Sequence, residues 1–231
     1  MFLLGVIQSL FEGAMFIFVF MWTPALEAAH AQSVLAAGDA SAAAALNGAQ
    51  PAFKGEVLPH GIVFACFMAC IMLGSRSTNS LLQTAEPGAI ASVAFLGAAL
   101  LLAVPIFQPG NEVHLMLAFC GFEVVCGMYF PLAGIQRSHI VPEGMRSMIM
   151  NVFRVGLNAV VMSVLLNIGS MQQDTVFKLC VGCLLVCCLA QVRLSSLGKA
   201  KEHTSGTPSR AATPEGSHQD AEDADMASSS L

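Results

Sequence analysis

Ser147, Asn151, Arg154 and Asn158 are spaced four, three and four residues apart. That spacing puts all four side chains on one stripe of an α-helix. Their neighbours Val152, Phe153, Val155 and Leu157 are apolar. One guanidinium and two carboxamides form a donor set suited to a tetrahedral oxyanion, because Arg presents paired N–H groups to two oxygens at once. The same groups also suit a structural task, tying their helix to a carboxylate on a neighbour. Both uses are compatible: a carboxylate that releases the Arg when an anion arrives serves each in turn. Two carboxylates stand out for that role, Glu12 and Glu123, both set in long apolar runs.

The elements that carry these residues follow from composition. Of 231 residues, 55 % are hydrophobic and only 11 % are charged, and the mean hydropathy is +0.70. An ordinary soluble domain carries roughly a quarter charged residues, so the chain reads as an integral membrane protein. The net charge of −5 leaves no basic footprint for nucleic acid. All eight Cys lie in apolar runs, unlike a secreted disulfide framework. Six segments have the apolar length of a bilayer span, about 20 residues. They run over 1–26, 58–73, 88–107, 112–134, 145–169 and 174–192. In lipid each must be a helix, since only a helix satisfies its own backbone without water. The fold class is therefore an all-α membrane protein with a six-helix transmembrane domain over 1–194. Arg154 lies about nine residues into the fifth helix, roughly 13 Å deep at 1.5 Å per residue. Glu12 and Glu123 sit about eleven residues into theirs, so all three lie near the midplane, where an ionisable group is a functional candidate by default.

Between the first two helices, 27–57 is rich in Ala, Gly and Ser and is expected to be an exposed, poorly ordered loop. From Ser195 to Leu231 small, polar and acidic residues dominate, and a disordered tail is expected. Pro24, Pro59, Pro87, Pro109 and Pro142 fall at or near segment ends, where a missing N–H does little harm; Pro105 and Pro131 are candidates for bends. Lys and Arg set the orientation. Arg76, Arg137, Arg146, Arg193, Lys199, Lys201 and Arg210 collect on one side, Lys54 and Lys178 on the other, which places both termini in the cytoplasm. Ala29-His30-Ala31 after the first apolar run resembles a signal-peptide cleavage site. The run is too long for that, lacks a preceding Lys or Arg, and is interrupted by Glu12.

Midplane charge falls on helices one, four and five, so the third and sixth are expected to be outer, lipid-facing members. Helices one and four share a Phe-Glu pair, Phe11-Glu12 and Phe122-Glu123, at similar depth in helices of opposite direction. Inverted three-helix repeats with a midplane site are a transporter signature. Cys180-x-x-Cys183, with Cys187 and Cys188, invites a metal reading, but a small apolar Cys in lipid serves packing, no His is near, and no metal or cofactor is expected. Small residues Ala94 and Ala98, or Gly121 and Gly127, permit close helix approach. His60 and His114 lie near helix ends, where an interfacial role is expected. The sequence holds no phosphate loop, dinucleotide fingerprint or nucleophile–base pair, so no enzyme is expected.

Four stretches carry a resemblance: SLFEGAMFIFVFMWTPAL in the first helix, PHGIVFACFMACIMLGS in the second, CGFEVVCGMYFPLAGIQRSHIVPEGMRS across the fourth and its loop, and MNVFRVGLN in the fifth. Together they resemble the C-terminal half of the molybdate-anion transporter family, a branch of the major facilitator superfamily. The resemblance covers about 1–192. It implies half of a twelve-helix carrier that moves molybdate or a similar oxyanion by alternating access, and it reaches Glu12, Glu123, Asn151, Arg154 and Asn158 by position. On this view Arg154 anchors the anion, Asn151, Asn158 and Ser147 orient it, and Glu12 and Glu123 act as counter-ions or proton-coupling groups. The implied partners are the oxyanion, the lipid bilayer, and the missing N-terminal half or a second copy of the chain; the implied site of action is the plasma membrane. A rival reading is a non-transporting six-helix assembly or regulatory subunit, with the same charges as interhelical ion pairs.

Overall fold

A computed structural model describes residues 2–36, 58–140, 146–167 and 171–205. Six α-helices occupy them: α1 Phe2–Ala36, α2 His60–Leu81, α3 Pro87–Phe107, α4 Glu112–Ile140, α5 Arg146–Asn167 and α6 Gln173–Ser205. No strand occurs among the described residues. Five helices are long and apolar enough to cross a membrane by length and composition: Phe2–Ser33, His60–Leu81, Pro87–Phe107, Glu112–Ile140 and Gln173–Gly198. The sixth expected span, in α5, has a shorter apolar stretch, Asn151–Asn167.

Several helices outrun their apolar segments. Residues 27–36, expected in a loop, continue α1. The run Ala25-Leu26-Glu27-Ala28-Ala29-His30-Ala31 consists mostly of strong helix formers, and Ala29 is fully buried. Side chains then pin the extension: His30 Nδ1 lies 3.0 Å from Glu112 Oε2, and Glu27 Oε1 3.0 Å from His60 Nε2. Pro24 therefore lies inside α1, not at its end. At the other terminus, α6 runs on through Ser195 to Ser205, so 195–205, expected in a disordered tail, are helical. Leu194 packs on the core and Ser195 sits against Gly88 of α3, which holds the first extra turn. The rest of the expected loop, 37–57, and of the expected tail, 206–231, lies outside the described residues, as does Pro142. Helix starts follow local chemistry. Pro87 occupies the first turn of α3, where it gives up no hydrogen bond. Asn111 Oδ1 accepts from the His114 N–H at 3.1 Å, an N-cap for α4.

The principal packing pairs run in a closed circuit, α1 to α6, α6 to α3, α3 to α4, and α4 back to α1. Outside it, α2 packs on α4 and α5 packs on α1. The helices expected to be outer members, α3 and α6, thus pack against each other as well, while still presenting Val93, Leu100, Leu189 and Val192 outward. The circuit encloses an aromatic core. Phe11 stacks on Tyr129 at 4.3 Å between ring centroids and lies 5.1 Å from Phe95 and 6.5 Å from Phe122. Phe18 meets Phe122 at 4.8 Å and Phe119 at 5.1 Å. Lipid tails are as apolar as these rings, so close packing, not removal from water, favours this arrangement.

Candidate functional site

The stripe helix α5 is seated on α1 by small residues. The Ser9 hydroxyl donates to the Phe153 carbonyl at 3.1 Å. The Phe153 ring lies over Gly5, where any Cβ would collide with it, and a Cβ on Gly156 would stand 3.3 Å from Ser9 Oγ. Leu157 and Val164 are buried on the same face. Asn151, Arg154 and Asn158 fall on a neighbouring flank and are exposed. Further round, Met148, Val152, Val155, Met162 and Leu166 form an exposed apolar strip. Ser147 lies in α5, but its side chain is outside the described residues.

The two carboxylates occupy different surroundings. Glu12 is half-buried and accepts a hydrogen bond from the Tyr129 hydroxyl at 2.9 Å. Tyr129 itself is buried on α4 and stacked on Phe11. Glu123 is buried on α4 and makes no hydrogen bond or ion pair among the described residues. It lies near the place where α2 crosses α4. There Gly74 abuts the Val124 carbonyl and Gly127 abuts the Ile71 carbonyl, each so closely that a Cβ would overlap the oxygen. Neither carboxylate forms an ion pair with Arg154, which has none among the described residues. The structure thus brings Arg154, Asn151 and Asn158 to one flank and leaves Glu12 and Glu123 bonded or buried elsewhere.

Other expectations are placed as well. Gly121 lies 3.0 Å, measured from an added Cβ, from Leu101, and Ala98 is fully buried, so small residues do mark close approach. Cys187 Sγ donates to the Ile7 carbonyl at 3.6 Å and Cys188 Sγ to the Ser92 carbonyl at 3.4 Å; both join α6 to its neighbours. His60 pairs with Glu27 at the end of the bundle. Sequence reasoning missed Tyr129, Ser9 and Gln8. Tyr129 is the chain's one tyrosine, and a lone phenol in an apolar helix was the available signal.

Residues 1–48 match a family described as sugar transporters with twelve transmembrane segments. The molybdate-anion transporter of Xenopus tropicalis is 31 % identical over 206 residues, 84 % of this chain and 40 % of that protein. By sequence, the chain is a homologue of part of the molybdate-anion transporters. The Takifugu rubripes protein of that name is 33 % identical over 163 residues, covering 68 % of this chain and 28 % of the relative. The Danio rerio one is 29 % identical over 215 residues, covering 85 % and 39 %. The chain thus spans about two fifths or less of the length of these relatives. No solved structure gives a significant match. Relatedness to membrane transporters, together with the apolar helices, makes this an integral membrane protein.

Proposed function

We propose that the chain is the C-terminal half of a secondary transporter that moves molybdate or a similar tetrahedral dianion by alternating access. Its six helices form two inverted three-helix repeats, α1–α3 and α4–α6. The packing pairs support this: exchanging α1 with α4, α2 with α5 and α3 with α6 maps each principal pair onto another or onto itself. Phe11 and Phe122, from the two Phe-Glu pairs, meet near the contact of α1 with α4. The other half of the carrier covers the outer faces of α2 and α5.

The observation that carries the substrate reading is the state of Arg154. Arg154 is exposed on the same flank of α5 as Asn151 and Asn158, and no carboxylate pairs with it among the described residues. An unpaired cation inside an apolar helix is expensive unless water or an anion meets it. Arg154 anchors the dianion through paired N–H···O bonds, with Asn151, Asn158 and Ser147 as orienting donors. Moving a charge inward against the membrane potential costs about 2.3 kcal/mol per charge per 100 mV, so a dianion needs coupling. Glu12 and Glu123 are the proton carriers or counter-ions. Both termini lie in the cytoplasm, and the plasma membrane is the site of action.

The test is molybdate uptake by a full-length relative altered at the position matching Arg154. Arg154→Ala abolishes uptake and Arg154→Lys retains a small fraction, because a point charge replaces a fork. Unchanged uptake in both disposes of the anchor role. A second check is water access. A thiol reagent labels Asn151→Cys and Asn158→Cys in a background without the native cysteines, and molybdate slows the labelling; a sealed interface gives neither result.

A further inference from the structure

Below Glu12, toward the N-terminus of α1, a cavity of about 10 Å³ opens between α1, α3 and α4. Its polar lining comes from Gln8, Tyr129, Gln136 and Arg137; the rest is apolar. Gln8 is 7 % exposed, and its Oε1 has no hydrogen-bond partner among the described residues. A buried acceptor of that kind calls for a donor. The volume is about that of one water probe, and a water is stable where several polar groups surround it. Gln8 lies one helical turn before Glu12, on the same face of α1. Tyr129 forms the upper wall and donates to Glu12, which leaves its oxygen able to accept from below.

We infer that this cavity is a water site that carries protons to and from Glu12 by way of the Tyr129 hydroxyl, opening toward the Arg137 end of α4. In the forward step a hydronium in the cavity gives a proton to the Tyr129 oxygen. The O–H bond pointing at Glu12 breaks as its proton passes to the carboxylate. Water, a neutral Tyr129 and a protonated Glu12 remain, so charge and atoms balance with no other reactant. Gln8 Oε1 holds the water in line by accepting one of its hydrogens. Among the described residues, the titratable groups around Tyr129 besides Glu12 are Arg137 on its own helix and Cys187 on α6. Arg137 Nε donates to the Ala133 carbonyl at 3.0 Å, which fixes the guanidinium beside the lower mouth. This inference rests on Glu12 being a coupling group and adds the path by which its proton moves.

The experiment uses infrared spectroscopy on the full chain in lipid nanodiscs. The protonated carboxyl band of Glu12 is identified by its loss in Glu12→Gln, and its exchange in D₂O is timed. Tyr129→Phe removes one oxygen and keeps the ring stack; Ala133→Val fills the cavity and leaves the Tyr129–Glu12 bond in place. Both slow the exchange, Tyr129→Phe by about a hundredfold, the usual contribution of a positioned proton donor. Unchanged exchange in either variant, with helical amide signal intact, overturns the path. So does the lack of any band that Glu12→Gln removes across the accessible pH range. Failure of the transport reading appears separately, as molybdate uptake by the full-length relative that Arg154→Ala and Arg154→Lys leave unchanged, with the exchange behaviour of Glu12 unaltered.

Discussion

Arg154 and Glu12 meet the same demand in opposite ways. Each is an ionisable group within an apolar helix, and each needs a polar neighbour. Glu12 has one built in, the Tyr129 hydroxyl at 2.9 Å. Arg154 has no ion pair among the described residues, and on the proposed reading an arriving anion takes that place. Hydrogen bonds to charged groups contribute about 1.5–3 kcal/mol, so Tyr129→Phe is expected to lower the thermal midpoint in detergent. The effect should shrink in a Glu12→Gln background, a coupling that a double-mutant cycle measures. The Asp174–Lys178 pair on the surface of α6 gives the contrast. Exposed pairs of this spacing contribute about 0.3–0.5 kcal/mol, so Lys178→Ala should barely move the midpoint. Glu12 and Arg154 were legible as candidates because charge in an apolar run is conspicuous. Tyr129 was not tied to Glu12, since 117 residues separate them and only the packing of α1 on α4 brings them together.

Among the elements, the crossing of α2 on α4 has the least tolerance for change. Gly74 and Gly127 each lie against a carbonyl of the opposite helix, and a backbone oxygen cannot move aside as a flexible side chain can. Gly74→Ala or Gly127→Ala should destabilise the bundle by about 1–3 kcal/mol, the usual penalty of overpacking. Gly97→Ala on α3 is the control: an added Cβ there meets nothing within 4 Å, and Ala is the better helix former by about 1 kcal/mol. Thermal unfolding of the three variants in one detergent decides the matter; equal midpoints would refute the crossing argument. Gly127 was marked by sequence as permitting close approach, whereas Gly74 was not. Helix centres were legible from the apolar runs. Their ends were not, because 27–36 and 195–205 are helical without being apolar. Propensity and end contacts hold those turns, and hydropathy does not register either.

For the whole molecule, the closed circuit of α1, α6, α3 and α4 buries the aromatic core, while α2 and α5 each rest chiefly on one neighbour. The outer faces of that pair carry exposed apolar side chains, including Ile62, Met72 and Leu73 on α2 and Val155, Met162 and Leu166 on α5. Relatives are more than twice as long as the region they share with this chain. On the proposed reading, the chain alone supplies one wall of a two-walled cavity and takes up no molybdate. Co-expression with the remaining half of a full-length relative should restore uptake. Uptake by the chain alone would point instead to pairing of two copies.

The sequence by itself determined that this is a membrane protein, where its helices are centred, and which three charges lie deep in the apolar runs, because each of those follows from local composition. Its likeness to molybdate-anion transporters was also legible in stretches of contiguous residues. Tertiary structure alone decided that Glu12 is bonded to Tyr129 and that Arg154 stands apart from both carboxylates. It also decided that α2 and α4 meet glycine to backbone. Those are contacts between helices, and helix packing depends on the shapes of surfaces assembled from distant parts of the chain.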